Sequence, residues 1–445
     1  MLWMLEPARG IAAIALTLAY LGLCWWAWQR RTFSPSPATN ADWTVAYASQ
    51  TGTAQALAQR SAIALERSGA TVCCLPLNQL DAASLQAGGR FLFVVSTAGE
   101  GDAPDNAARF ARQLLGETLD LAAVEFALLA LGDRSYRHFC GFAERLAQWL
   151  LAQGARQRFA RIAVDRGDSV ALAAWRQRLA ELGAAEEFIE SADDFRPWRL
   201  IDRQHLNPGS AGGEVYQLSF AASGETPLWA AGDLAQIRHA ADASCQRDYS
   251  IASLPEEGGQ VRLLVRRHSR ADGSSGMMSG WLTRDLPLGG EIALRLHRHP
   301  AFHLNNNRFR PLICIGNGVG LAGLRALLAS RIATGCDDNW LLFGERNKRQ
   351  DFHWQDELTA WQAAGFLARL DTAFSRDADD GHYVQDCLAA QGELLRQWVA
   401  RGGAVYVCGS RQGMAAGIDR GLREIVGDEG VDRLQREGRY CRDVF

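Results

Sequence analysis

Short apolar runs alternate with longer amphipathic stretches through the first part of this chain. The run at 43–48 reads as a buried strand, and 55–68 reads as a helix. Further strands are expected at 91–95, 126–131 and 161–165. Strands alternating with helices predict a parallel, doubly wound sheet with ligands outside the strand C-termini. After Phe195-Arg196-Pro197 the period shifts. Short strand candidates at 215–220, 233–238, 261–267 and 291–296 are separated by Gly and Pro turns, which predicts a small antiparallel barrel. An apolar strand at 311–315, a helical stretch at 324–329 and a strand at 405–409 then predict a second α/β unit.

The front end has a different pattern. Residues 10–28 carry no charge, and an apolar stretch of about twenty residues can span a bilayer. Trp25, Trp26 and Trp28 close that stretch, and Arg30 and Arg31 follow against Arg9 alone before it. This bias favours a single-pass anchor in the inner or cytoplasmic membrane, with the bulk of the chain on the cytoplasmic side. A cleaved signal peptide is the alternative, but its basic flank should come first and no clean small-residue cleavage site follows. Pro35, Pro37, Thr39 and Asn40 read as a tether. The expected organisation is an anchor at 1–31, a tether at 32–42, a parallel-sheet domain at 43–190, a barrel at 191–308 and a second α/β domain at 309–445.

Composition narrows this picture. At 445 residues, roughly three domains of about 150 each are expected. A net charge of -3 gives no case for nucleic acid. Ten cysteines form no C-x-x-C pair, which argues against a disulfide framework or a zinc site and fits a reducing compartment.

Candidate chemistry sits in the turns. Ser49-Gln50-Thr51-Gly52-Thr53-Ala54 joins the first strand to its helix. Backbone N–H groups, hydroxyls and a helix N-terminus together suit a dianionic phosphate monoester. The next strands end in Ser96-Thr97-Ala98-Gly99-Glu100-Gly101-Asp102 and in Gly132-Asp133-Arg134-Ser135-Tyr136. The barrel region carries Arg247-Asp248-Tyr249-Ser250 and Gly276-Met277-Met278-Ser279, and the second α/β unit opens with Gly316-Asn317-Gly318-Val319-Gly320. Each signal alone is weak. Their order suggests an electron path from nicotinamide to one flavin and then to a second.

In these loops the chain resembles the diflavin reductases, a family that includes NADPH–cytochrome reductases and the flavoprotein subunit of sulfite reductase. The resemblance covers roughly 44–445. It implies a flavodoxin-like FMN domain, a ferredoxin–NADP reductase-type FAD barrel and an NADP(H)-binding domain, hence the cofactors FMN, FAD and NADPH. By this resemblance Ser49 to Ala54 hold the FMN phosphate. Ser96, Thr97, Ala98 and Gly99, with Leu131, Gly132, Asp133, Phe139 and Cys140, border the ring, on which Tyr136 stacks. Asp168 lies near the ribityl chain. Ala98 stands where the family often has a second aromatic.

For FAD, the resemblance implies that Arg247 pairs with the pyrophosphate, Tyr249 packs on the flavin and Ser250 lies near N5. Gly276, Met277, Met278 and Ser279 would meet the second phosphate, and Leu264, Val265 and Arg266 would edge the cofactor. For NADPH it implies Gly316, Gly318 and Gly320 in the turn, Arg346 on the pyrophosphate, and Ser375 and Arg376 on the 2′-phosphate. An Arg fork with a hydroxyl suits that dianion. Tyr383, in Tyr383-Val384-Gln385, would cover the adenine. Cys408 and Asp443 resemble the pair beside nicotinamide C4 and would join Ser250 around N5. Phe445 would stack on the FAD ring and swing aside for nicotinamide. Taken alone, Cys408 would read as a small buried hydrophobe.

Five positions depart from the family pattern. Val319 replaces a threonine, Asn317 and Gly323 replace prolines, Gly381 replaces a lysine and Gly417 replaces an aspartate. Weaker NADPH binding is expected. The helical insertion usual inside the FAD barrel is absent, since only 238–245 separates the strand at 233 from the Arg-x-Tyr-Ser motif. A hinge is expected at 191–197. Glu100, Asp102 and Asp105 read either as an acidic lip for a basic partner or as a solvated loop.

The expected function is membrane-tethered electron transfer from NADPH through FAD and FMN to an acceptor. That acceptor would be a haem protein, a sulfite reductase haem subunit, or a membrane acceptor serving ferric or siderophore iron reduction. Two other readings stay open: a membrane-held docking flavoprotein whose dehydrogenase half has decayed, and a producer of superoxide.

Overall fold

The computed structural model describes residues 41–134, 136–185, 195–270, 272–377 and 382–445. Three sheets organise them. The first runs β1 (Trp43–Ala48), β2 (Val72–Pro76), β3 (Gly89–Ser96), β4 (Val124–Gly132), β5 (Arg156–Gln157) and β6 (Ile162–Asp165). Its order is β2-β1-β3-β4-β5, with β6 also on β4, and every pairing is parallel. This is the flavodoxin-type winding, whose switch point lies between β1 and β3. Side chains alternate across it. Phe91, Phe93 and Val95 face one apolar layer with Phe126 and Leu128, while Leu92 and Val94 face the other with Val45 and Trp175. β2 escapes the hydrophobic pattern because Cys73 and Cys74 face partly outward.

The second sheet is antiparallel. It contains β7 (Arg196–His205), β8 (Val215–Ala222), β9 (Leu234–His239), β10 (Asp242–Ser250), β11 (Gln260–Arg266) and β12 (Glu291–His297), in the order β10-β9-β12-β7-β8-β11. A bridge between Ile251 and Leu263 joins the two ends and curls the sheet into the expected barrel. β9 passes to β10 through a tight turn, so no domain intervenes. The hinge expected at 191–197 is corrected in part. Arg196 and Pro197 already pair with Leu294 and Ala293 in β7, and 191–194 lie outside the described residues.

The third sheet holds β13 (Leu312–Asn317), β14 (Asn339–Glu345), β15 (Arg369–Phe374), β16 (Ala404–Gly409) and β17 (Tyr440–Val444). All are parallel, in the order β15-β14-β13-β16-β17. One face shares its apolar cluster with the barrel, uniting Leu312, Cys314, Tyr406 and Cys408 with Val215, Ala252, Leu264 and Phe302. Arg325, on helix Leu321–Ile332, fastens the same seam by donating to the Ala252 carbonyl, Glu257 and Glu357.

The flavodoxin sheet docks on both other units. Arg442 pairs with Asp105, Arg112 with Asp432 at 2.9 Å, Arg411 with Asp102 at 3.5 Å and Arg247 with Asp133 at 3.8 Å. The acidic lip therefore meets basic residues of its own chain. Glu100 instead accepts from the Arg137 N–H.

The expected membrane location is corrected. Among the described residues no helix is long and apolar enough to cross a membrane. The longest, Thr53–Arg67, has 15 residues and packs one face on the first sheet, whereas a span needs about 20 apolar residues. The anchor expected at 1–31 and the tether up to residue 40 lie outside the described residues.

The packing predicts a stability effect. Phe93→Ala empties a fully buried site beside Phe91 and Phe126. It should cost the flavodoxin unit about 3–5 kcal/mol, read as an earlier first transition in urea unfolding.

Candidate functional site

Three loops leave the C-terminal edge of the first sheet and gather at its switch point. Ser49, Gln50, Thr51 and Gly52 follow β1, and Thr53 and Ala54 begin the helix. Gly52 turns the chain with φ of 90°, a value glycine adopts without strain. The Ser49 hydroxyl is buried and has no hydrogen-bond partner. A phosphate oxygen at this loop would satisfy it, so the residues fit the group that the motif implies. Ser96 ends β3 and donates to the Ala48 carbonyl at 3.1 Å, tying the two strand ends together. Thr97 donates its N–H to the Leu131 carbonyl at 3.0 Å, and Ala98 bridges Asp102. Gly99 lies against the Arg411 guanidinium.

Leu131 and Gly132 end β4, and Asp133 follows. A Cβ on Gly132 would meet the Cys140 sulfur at 2.9 Å and the Phe139 ring at 3.0 Å, so glycine lets that loop fold back. Tyr136 is about half exposed, as a stacking ring would be. Asp168 has other work: its carboxylate accepts from the Val170 N–H and caps helix Ser169–Glu181.

A second site lies between the barrel and the third sheet. It is a cleft of about 970 Å³ lined by Arg247, Tyr249, Ser250, Leu264 and Arg266 from the barrel, and by Gly318, Arg346, Ser375, Tyr383, Gln385 and Phe445. Several expected residues stand off its walls, Cys408 and Asp443 behind Ser250 among them. Val265 points into the barrel core. Gly276, Met277, Met278 and Ser279 form a separate turn, where the Ser279 hydroxyl accepts from the His268 N–H. Gly316 and Gly320 act in packing. A Cβ on Gly320 would lie 2.3 Å from the Cys408 carbonyl oxygen, and one on Gly316 would lie 2.7 Å from it. Arg376 also lies off the cleft, though its carbonyl accepts from Asn347.

At the back of this cleft three groups converge. The Ser250 hydroxyl donates to Asp443 Oδ2 at 2.7 Å, and the Cys408 thiol donates to the same oxygen at 3.7 Å. β16 and β17 set this register, with Cys408 opposite Asp443. Burial, and then the Asp443 carboxylate, push the Cys408 thiol well above its usual range. It is thus held as a neutral donor and not as a thiolate. Phe445 stands over the opening, 59% exposed.

Several further residues shape the site. Gly323 packs behind the trio, where a Cβ would come within 3.3 Å of Ser250 and 3.4 Å of Cys408. Glu345 pairs with Arg266 across the cleft. His268, Asn317 and His382 line it. Gly417 stands where an aspartate was expected, and Gln385 closes that space at 3.2 Å from where a Cβ would sit. Gly381 lies outside the described residues.

Comparison with known proteins finds flavodoxins and sulfite reductase flavoproteins among the chain's relatives. Residues 45–184 match the flavodoxin family. The chain is 26% identical to the sulfite reductase [NADPH] flavoprotein alpha-component of Neisseria meningitidis serogroup B, covering 90% of this chain and 89% of that one. It is 25% identical to the protein of the same name from Bacillus subtilis, covering 93% and 90%. The Neisseria alignment runs over 538 positions, more than the 445 residues here, so that relative carries a long stretch with no counterpart in this chain. A shorter match, 35% identical to the Salmonella typhi protein of that name, covers 45% of this chain.

Two outcomes follow from the site. Alkylation at pH 8.5 with peptide mapping should leave Cys408 unlabelled until the chain unfolds, because its thiol is both buried and protonated. Gly320→Ala should push β16 away from the turn and destabilise the third sheet by about 1–3 kcal/mol, read from its denaturation midpoint.

Proposed function

We infer that this chain, which belongs to the diflavin reductase family, is an NADPH-dependent flavoprotein oxidoreductase that passes electrons from NADPH by way of FAD and FMN to a redox protein. We propose the same division of labour as the sequence implies: FMN at 43–190, FAD at 191–308 and NADP(H) at 309–445. When bound, the nicotinamide supplies hydride and the flavins convert two-electron into one-electron chemistry.

The chain's own residues bind, orient and exclude water. The Ser49 hydroxyl and the turn at Gly52 would hold the FMN phosphate, with Tyr136 against the ring. Arg247 would carry the FAD pyrophosphate, and Arg346, Ser375 and Tyr383 would grip the nucleotide. Ser250, Cys408 and Asp443 place two donors and a carboxylate at one point, where they orient the reacting carbons and stabilise shifting charge. Phe445 would shield the opening until nicotinamide enters. The single observation that carries the reading is this hydrogen-bonded trio at the back of a cleft large enough for a dinucleotide.

The proposed acceptor is a haem protein or another redox protein. The relatives named as sulfite reductase components favour a sulfite reductase haem subunit, and a ferric or siderophore-linked acceptor is the second reading. A docking flavoprotein with weak dehydrogenase activity draws on Val319 and Gly417, but the trio counts against it.

NADPH oxidation with ferricyanide tests the first half of this path, and transfer to a purified haem acceptor tests the second. Turnover no faster than free flavin in the first assay would sink the reading. Asp443→Asn should slow NADPH-driven flavin reduction about a hundredfold, measured by stopped flow, with FAD content unchanged. Ser49→Ala should weaken FMN retention about tenfold or more, measured by equilibrium dialysis, because a charge-assisted hydrogen bond is lost.

A further inference from the structure

We propose that Arg442 is a positioning residue that makes hydride transfer at the Ser250–Asp443–Cys408 trio depend on docking of the flavodoxin unit. This rests on the functional reading above. Arg442 and Asp443 are neighbours on β17 and so point to opposite faces. Asp443 holds the trio. Arg442 reaches across the unit boundary, where its Nε donates to Asp105 Oδ2 at 2.8 Å and its Nη2 donates to the other carboxylate oxygen.

Asp105 is not an isolated surface carboxylate. It opens helix Asp105–Leu114. Gln50, a residue of the phosphate loop, donates to its carboxylate at 3.2 Å and accepts from its N–H at 3.2 Å. An unbroken path therefore runs from the phosphate loop through Gln50 and Asp105 to Arg442, the residue beside Asp443.

The arrangement has a second state built in. Arg442 Nη1 lies 3.9 Å from Asp419, on helix Ala416–Val426 of the nucleotide-binding unit, and its guanidinium lies over the Tyr440 ring. When the flavodoxin unit leaves, Asp419 remains as a partner within its own unit. Arg442 then turns from one carboxylate to the other and takes β17 with it. The trio depends on a 2.7 Å contact and hydride transfer on closely placed carbons, so a small shift of this strand suffices to slow the reaction. The consequence is an ordering rule: new hydride is accepted fastest when the onward route is assembled.

The test uses the full chain with both flavins. Asp105→Asn, Arg442→Gln and the double variant are compared by stopped-flow reduction with NADPH and 4-deuterated NADPH, and by hydrogen–deuterium exchange of the amides of Tyr440–Val444. Each single variant should slow the isotope-sensitive step about threefold to tenfold and speed exchange along β17. The double variant should be no slower than the worse single one, since both remove the same link. Asp432→Asn breaks the Arg112 pair between the same units but not on β17, and it should move neither readout. The proposal falls if Asp105→Asn leaves rate and exchange at the original values, if the two losses multiply, or if Asp432→Asn has an equal effect. If NADPH bleaches no flavin in the unaltered chain, the functional reading falls, and the exchange comparison still decides the coupling.

Discussion

Two partly shielded charges set how the flavodoxin unit faces the rest of the chain. Asp105 and Arg442 are 28% and 18% exposed at the side chain, and neither has enough water to stand alone there. Burial pushes the Asp105 carboxyl up, but the Arg442 guanidinium and the Gln50 amide more than offset it and hold the group below its usual range. Such a pair contributes little net stability compared with an apolar contact, yet breaking one side leaves the other uncompensated. That asymmetry gives specificity. It fixes which edge of the flavodoxin sheet faces the nucleotide unit, and so which loops face the barrel.

A second constraint is the two-residue period of a strand. On β16, Val405 and Val407 join one apolar cluster while Ala404, Tyr406 and Cys408 join the other. The face that receives Cys408 is the face shared with the barrel, so the thiol meets Ser250 from the barrel and Asp443 from β17. The glycines at 316, 320 and 323 permit this approach by leaving no Cβ in the way. A site built from three strands of two units is thus a by-product of close packing, with few side chains committed to catalysis alone.

Much of this was readable before the fold was known. The strands of the first sheet announce themselves because β1, β3 and β4 are buried on both faces and read as continuous apolar runs. The turn motifs stood out because glycine, hydroxyls and helix starts follow one another there in the order a phosphate site would need. β7 was missed because Arg196, Arg199 and Asp202 face outward and dilute its pattern. The packing role of Gly323 and the pairings of Glu345 and Arg442 were missed for another reason. Their roles depend on partners far away in the chain, and no local spacing encodes that. The stretch read as an anchor lies outside the described residues, and among the described residues no helix offers a membrane span.

The tight turn from β9 to β10 leaves no inserted domain in the barrel, and in the sequence nine residues, 186–194, separate the described flavodoxin unit from the barrel. Nine residues reach about 30 Å at most. Covalent linkage within that reach keeps each unit at an effective concentration on the order of millimolar with respect to the other. Four ionic contacts too weak to join separate proteins are then strong enough here. Dilution cannot part the two halves, whereas dissolved salt, by screening those contacts, can.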